Sequence, residues 1–359
     1  MAYLPLSTAN LPDPAIDPAQ GSSPQDYFDI DTYSGTSAAH ERSNFTFQPD
    51  FLWLKCRNVG ESHFLFNVES GVTKYLRTDS TGAETTNSAY LTSFDADGFT
   101  LGTHENINET GETYVAWAWK ANGSGVSNTY GSITSTVSAN TESGFSIVSY
   151  TGTGSNATVG HGLSSAPEMV IVKRRDSTSD WVVYHTGLPS ASYRIYLNYD
   201  LAQDSGAAAS ATWNDTDPTS TVFSIGTNVH VNVNTATYIA YCFHSVEGFS
   251  KFGSYTGNGS ADGPFVYTGF RPAFVMIKRT DSANYWMILD DKRNTYNPEK
   301  AGLYPNLSDA ESNFGNGTGI DFLSNGFKHK DNSASTNASG GTYIYMAFAE
   351  TPFKYSLSR

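Results

Sequence analysis

Residues 165–176 read S-A-P-E-M-V-I-V-K-R-R-D, and the same pattern is written twice more. Residues 48–57 read Q-P-D-F-L-W-L-K-C-R, and residues 271–280 read R-P-A-F-V-M-I-K-R-T. A proline followed by a short apolar run is typical of a strand that is buried on both faces. The three copies place Lys55, Lys173 and Lys278 at matching positions. The sequence therefore predicts an internal repeat.

Other landmarks keep the same order in each copy. A Tyr-x-Gly pair precedes the lysine run, and His63, Trp181 or Trp286 follows eight residues after the lysine. Each copy ends on an aromatic run, namely Tyr114–Trp119, Tyr238–Phe243 or Tyr343–Phe348. Short apolar or alternating runs recur, and no long stretch has helical spacing, which indicates an all-β protein. We expect Trp181 and Trp286 to be core residues. The cations at 173–175 and 278–279 could suggest an anion site, but we expect them to be solvated at strand ends.

The repeat divides the 359-residue chain into segments of domain size. We predict three tandem β-sandwich domains, each with its own core, and expect the second and third to pack tightly while the first sits more freely. The predicted segments are an extended Pro-rich N-terminal arm (1–26), repeat 1 (27–121), a Gly/Ser/Thr-rich connector (122–144), repeat 2 (145–247), repeat 3 (248–351) and a C-terminal tail (352–359).

The N-terminal arm contains five prolines and belongs to no repeat. It is either a disordered leader or an extended arm that lies across another protein. Its scattered apolar side chains would be the attachment residues in the second interpretation: Tyr3, Leu4, Leu6, Leu11 and Ile16.

Composition argues against several functions. The net charge of −14 disfavours nucleic-acid binding. Neither a membrane-spanning apolar run nor a signal-peptide pattern is visible. The two cysteines, Cys56 and Cys242, are expected to be buried thiols. No catalytic motif stands out, and Asp95–Gly98 is better explained as a hairpin turn than as a metal site. We expect no catalytic residues, metal ligands or cofactor.

Aromatic residues without counterparts in the other repeats are candidates for a contact surface. Trp213, Tyr296 and Tyr304 meet this criterion, and each lies in a polar loop region of the sequence.

Three blocks resemble a repeated module of unknown function in virion proteins of tailed phages, notably phages of marine bacteria and cyanobacteria. The blocks are residues 47–55, 91–102 and 114–120. The resemblance implies β-sandwiches of the jelly-roll or concanavalin-like kind, synthesis in the host cytoplasm and a place on the particle surface. It supplies no catalytic residues.

Three functions are compatible with these patterns. The first is a structural virion protein, a tail-fibre or spike component that contacts the host. The second is a capsid decoration protein without host binding, and the third is a glycan-degrading enzyme. For the first we expect other virion proteins as partners through the arm, a host-surface glycan as a further partner, and a homo-oligomer.

Overall fold

The chain is almost entirely antiparallel β-structure, in a computed structural model that describes residues 16, 21–313 and 319–350. A 3-10 turn (Pro24–Asp26) and two short helices, α1 (Glu105–Asn108) and α2 (Ala207–Trp213), are the helical elements within these residues. The all-β prediction is confirmed. The strands fall into three units, which follow the predicted repeats.

Unit one contains a larger sheet in the order β1-β9-β3-β4-β5-β6 and a smaller sheet in the order β2-β8-β7. Its strands are β1 (Phe28–Ser34), β2 (His40–Arg42), β3 (Phe51–Cys56), β4 (Phe64–Asn67), β5 (Lys74–Arg77), β6 (Thr85–Thr86), β7 (Leu91–Asp95), β8 (Gly98–Leu101) and β9 (Thr113–Trp119).

Unit two contains a larger sheet in the order β10-β11-β12-β18-β14-β15-β16 and a smaller pair, β13 and β17. Its strands are β10 (Val126–Asn128), β11 (Ser135–Asn140), β12 (Phe145–Thr151), β13 (Ala157–Gly160), β14 (Met169–Arg174), β15 (Val182–His185), β16 (Ile195–Tyr196), β17 (Val222–Ile225) and β18 (Thr237–Phe243). Strands β10 and β11 come from the expected connector, so this segment extends the sheet of unit two and is not a free linker.

Unit three contains a larger sheet in the order β19-β27-β21-β22, a smaller sheet in the order β20-β26-β25, and the pair β23–β24. Its strands are β19 (Ser250–Thr256), β20 (Phe265–Tyr267), β21 (Pro272–Arg279), β22 (Met287–Asp290), β23 (Ala301–Gly302), β24 (Ser312–Asn313), β25 (Ile320–Leu323), β26 (Gly326–His329) and β27 (Thr342–Ala349).

The three larger sheets share one strand order and one register. In each, the closing strand lies between the lysine strand and a second neighbour, which is β1, β12 or β19. Lys55, Lys173 and Lys278 pair with Val115, Ile239 and Ile344, one residue after the first tyrosine of each closing strand. The predicted equivalence of the three lysines is confirmed.

Each larger sheet is buried on both faces. One face packs against the smaller sheet of its own unit, and a separate buried cluster lies between these two layers in each unit. The opposite face contributes to a single cluster drawn from all three units, which we call the shared core. Alternation along β9 shows this directly, because Tyr114 and Ala116 face the core of unit one while Val115 and Trp117 face the shared core.

Aromatic rings join the units within the shared core. Phe51 of unit one lies 4.4 Å from Tyr241 of unit two, measured between ring centroids. Trp119 of unit one lies 5.7 Å from Phe348 of unit three, and Phe348 lies 6.3 Å from Phe243 of unit two. Each unit has a core of its own, as expected, but the inward face of every larger sheet is covered by the other two units. The expectation that unit one sits more freely is therefore wrong.

Trp181 and Trp286 are buried, as expected, but they lie in the shared core. The Trp181 indole N–H donates to the carbonyl of Arg77 in unit one at 2.9 Å, and that of Trp286 donates to the carbonyl of Tyr196 in unit two at 2.8 Å. Each tryptophan therefore connects two units.

We predict that Trp286→Ala lowers the free energy of unfolding by roughly 3–5 kcal/mol, because a large buried aromatic is lost. Denaturant melts followed by fluorescence and by circular dichroism should shift together, since both neighbouring units lose the contact. Tyr296→Ala is the control: its side chain is exposed and the change should stay within about 0.5 kcal/mol. A loss below about 1 kcal/mol for Trp286→Ala would contradict this assignment.

Candidate functional site

The three repeated lysines lie at the interfaces between units. Each sits on the shared-core face of its strand and is completely buried, so the expectation of a solvated strand end is wrong for Lys173 and Lys278. The strands continue through the lysine instead of ending before it.

Every lysine ammonium donates to a backbone carbonyl of another unit. Lys55 Nζ lies 3.2 Å from Ser308 O of unit three, Lys173 Nζ 2.9 Å from Thr81 O of unit one, and Lys278 Nζ 3.1 Å from Asp200 O of unit two. Further carbonyls of the lysine's own unit complete each site. The same contact therefore links unit one to three, two to one, and three to two, and the chain closes into a ring.

A second hydrogen bond follows each lysine contact at a fixed distance in sequence. The backbone N–H groups of Glu311, Glu84 and Gln203 donate to the carbonyls of Arg57, Arg175 and Thr280. In every case the donor lies three residues after the carbonyl that binds the lysine. We call residues 308–311, 81–84 and 200–203 the docking segments.

Ion pairs reinforce two of the three interfaces. Arg57 Nε lies 2.9 Å from Glu311 Oε2, and Arg175 Nε lies 2.9 Å from Glu84 Oε2. At the third interface Thr280 occupies the place of the arginine. Burial lowers the pKa of Lys55 and Lys173 to about 8 and that of Lys278 to about 7. Carbonyl oxygens rather than carboxylates hold these ammonium groups, which suits a structural role.

A buried asparagine organises the loop before each closing strand, a feature that our reading of the sequence missed. The amides of Asn108, Asn232 and Asn337 each donate to two backbone carbonyls and accept from a backbone N–H. The signal was present, since each asparagine stands six residues before the first tyrosine of its closing strand.

A cleft of about 320 Å³ lies between β1 of unit one and unit three, lined in part by Asp29, Arg271, Asp291 and Glu350. Arg271 Nη1 lies 2.5 Å from Glu350 Oε2 and 3.6 Å from Asp291 Oδ2. Burial raises the pKa of Asp291 to about 7, with Asp290 and Glu350 adding to the effect. Burial also raises the pKa of Glu299 to about 8, and both of its oxygens are unpaired.

A neighbouring carboxyl, that of Asp290, belongs to a hydrogen-bonded and ionic network that joins units one and three. Asp290 Oδ2 accepts from Trp117 Nε1 at 2.9 Å and from Arg293 Nε at 2.6 Å, and Arg293 reaches Glu311 at the interface. Among the described residues, no group of three or more His, Cys, Asp and Glu side chains is arranged to hold a metal ion. Cys56 and Cys242 are buried free thiols. In the same part of the chain, no helix has the length and apolar content to cross a membrane.

The predicted contact residues do not converge on one surface. Trp213 is only 2 % exposed. It ends helix α2 and packs edge-on against Tyr184 in the core of unit two, so its assignment to the surface is wrong. Tyr304 is partly buried against the core of unit three, with its hydroxyl 2.8 Å from Ser312 Oγ. Tyr296 is 83 % exposed.

The structure also separates the predicted arm residues. Ile16 is fully buried in the shared core of its own chain, so it does not lack a core to enter. Tyr3, Leu4, Leu6 and Leu11 lie outside the described residues.

The smaller sheet of unit three presents two aromatic rings that we did not identify from the sequence. Phe265 and Tyr267 are 45 % and 65 % exposed, and Val266 between them faces the core. Strand pairing aligns Phe265 with Lys328 and Asp321, and Tyr267 with Gly326 and Leu323. We call these six residues the outer face of unit three.

The outer face of unit three has no equivalent in the other units. Phe265 pairs with the residue after Phe327, and the matching positions in units one and two are Glu41 and Thr158. Gly326 is required here, since a Cβ at that position would collide with the Val266 carbonyl and lie 2.9 Å from the Phe265 ring. The ring therefore lies against bare backbone.

The chain belongs to the family described as Domain of unknown function (DUF7483), which it matches over residues 23–352. This single match spans all three units. No curated protein and no solved structure matches the chain.

His329 occupies a core position that is apolar in the other units. It is fully buried, and neither ring nitrogen has a hydrogen-bond partner. Its equivalents by repeat position are Leu101 of unit one and Ile225 of unit two, each two residues after the matching phenylalanine. Burial lowers the pKa of His329 to about 3.

We predict that His329→Leu stabilises the protein by about 1 kcal/mol or more at pH 7.5, because two unpaired buried polar atoms are removed. The pKa of His329 in the folded protein lies below its value near 6.5 in the unfolded chain, so between these pKa values the histidine takes up a proton on unfolding. The free energy of unfolding of the parent protein therefore decreases as the pH falls below about 6.5. The advantage of His329→Leu should therefore grow by roughly 2 kcal/mol between pH 7.5 and pH 5.

Denaturant melts at the two pH values measure both effects. The reverse exchange, Leu101→His, is the matched control and should destabilise the protein, more so at pH 5. Equal stability of His329→Leu and the parent at both pH values would show that the imidazole is satisfied in solution.

Proposed function

We propose that this protein is a structural virion protein of a tailed phage, exposed on the particle as a tail-fibre or spike component that contacts the host surface. We also propose that its units are three tandem β-sandwich domains of the jelly-roll or concanavalin-like kind, related by internal repeat. The family is described as a domain of unknown function, so the proposal rests on the architecture and on the resemblance of the sequence blocks.

The observation that carries the proposal is the closed ring. Three copies of one interface bind the units through buried lysines, docking segments and a shared core. In such an arrangement the buried polar groups hold the units together, as expected of a structural protein. The charged cleft beside Arg271 fits the same role, because Asp291 and Glu350 both pair with Arg271 inside unit three.

Differences between the units also favour a contact role. The buried landmarks recur three times, whereas the outer face of unit three has Phe265 where unit one has Glu41 and unit two has Thr158. A symmetric core with one distinct surface suits a protein that is held on a particle and touches something else. A capsid decoration protein without host binding is the second candidate. That role explains the closed arrangement of the three units but not the exposed aromatic side chains.

Immunogold electron microscopy of phage particles that encode this chain tests the proposal. We expect label at the tail tip or along the fibres. Label on the head would favour the decoration role, and particles without label would contradict both.

Attachment through the N-terminal arm is part of the proposal, together with assembly of several copies on the particle. Because Ile16 enters the shared core, the informative deletion removes residues 1–15 and keeps Ile16. We expect this variant to melt like the parent yet to be absent from assembled particles. Incorporation at the normal copy number would show that attachment runs through the ring.

A further inference from the structure

The outer face of unit three combines three properties that rarely occur together on a surface without a partner. It is aromatic, it is exposed, and it occurs in one unit of three. Phe265 and Tyr267 stand two residues apart on the same side of β20, roughly 7 Å along the strand. Strand β20 is also the edge of its sheet. Exposed aromatic side chains on an edge strand promote association with other chains, and an exposed patch of this kind marks a binding site.

The charges around the rings are already paired. Lys328 Nζ lies 2.6 Å from Asp262 Oδ1, and Lys330 Nζ lies 3.8 Å from Asp321 Oδ2. The face therefore carries no excess charge of either sign. A charged ligand would have to break these pairs, and a polyanion would also meet the net charge of −14.

We propose that the outer face of unit three binds a neutral glycan. Aromatic rings carry partial negative charge on their faces, which attracts the polarised C–H bonds of a sugar ring. The spacing of Phe265 and Tyr267 allows adjacent sugar units to stack on successive rings. The Tyr267 hydroxyl can form hydrogen bonds with sugar hydroxyls. Lys328 and Asp321 can do the same while each keeps its own ionic partner, Asp262 or Lys330.

The position of the Phe265 ring supports this assignment. Gly326 stands opposite Tyr267 and has no side chain, so the Phe265 ring lies against the backbone there and no other side chain projects beside it from that position. The inference rests on the proposed function, since it names the class of molecule that a host-contacting protein would hold.

Native affinity electrophoresis of the full chain tests the inference, with dextran, laminarin and galactomannan as neutral probes and alginate as the anionic probe. We expect at least one neutral polysaccharide to retard the protein and alginate to leave its mobility unchanged. The double variant Phe265→Thr with Tyr267→Ser should bind the retarding polysaccharide roughly tenfold more weakly or worse, because both stacking rings are lost.

Tyr130→Ser provides the matched control, since Tyr130 is an exposed tyrosine of unit two, 76 % accessible, outside this face. It should bind as the parent does. Mobility unaffected by every neutral probe, equal retardation of the double variant, or stronger retardation by alginate would each overturn the inference. A parent dimer in size-exclusion chromatography that the double variant abolishes, without glycan retardation, would assign the face to a second copy instead.

The outcome is separable from that of the proposed function. The protein could bind a glycan, and lose this binding in the double variant, while antibodies find no label on particles. That result would support the inference and reject the virion role. Label on particles without glycan binding would do the reverse.

Discussion

The fold depends on the hydrogen bonds that close the three units into a ring. The contact between units one and three joins Lys55 to Ser308, 253 positions later in the chain, and the N–H of Glu311 donates to the Arg57 carbonyl beside it. Burying an ammonium group is costly unless several strong acceptors surround it. Each lysine finds backbone carbonyls on both sides of an interface, so the cost of burial is offset only when the two units are docked. The lysine thus specifies how the sheets meet, while the shared core supplies most of the apolar burial.

This arrangement explains which features could be predicted from the sequence. The repeat, the all-β character and the equivalence of the lysines follow from local patterns, because the order and spacing of the repeated motifs are visible in the sequence itself. The pattern of residues Tyr114–Trp119 also indicated burial on both faces. It could not indicate what covers the second face, since a neighbouring unit and a second layer of the same unit leave the same apolar signature. For that reason the domains were expected to be independent.

The errors at single residues have related causes. A lysine after an apolar run resembles a strand that has reached solvent, and only the carbonyls of another unit reveal otherwise. Trp213 was assigned to the surface because it lacks a counterpart, yet helix α2 turns it into the core of unit two. Phe265 and Tyr267 were overlooked because they flank the buried Val266 in an ordinary strand pattern. An aromatic residue without an equivalent in the other units can be assigned to the surface only when the side of the sheet on which it lies is known.

The shared core and the ring of lysine contacts should make the three repeats unfold as one cooperative body, which differential scanning calorimetry of the full chain can measure. We expect a single transition whose calorimetric and van't Hoff enthalpies agree, since no unit keeps its inward sheet face covered once the ring opens. Two or three resolved transitions, or a calorimetric enthalpy that is a multiple of the van't Hoff value, would show that the units unfold separately and would contradict it.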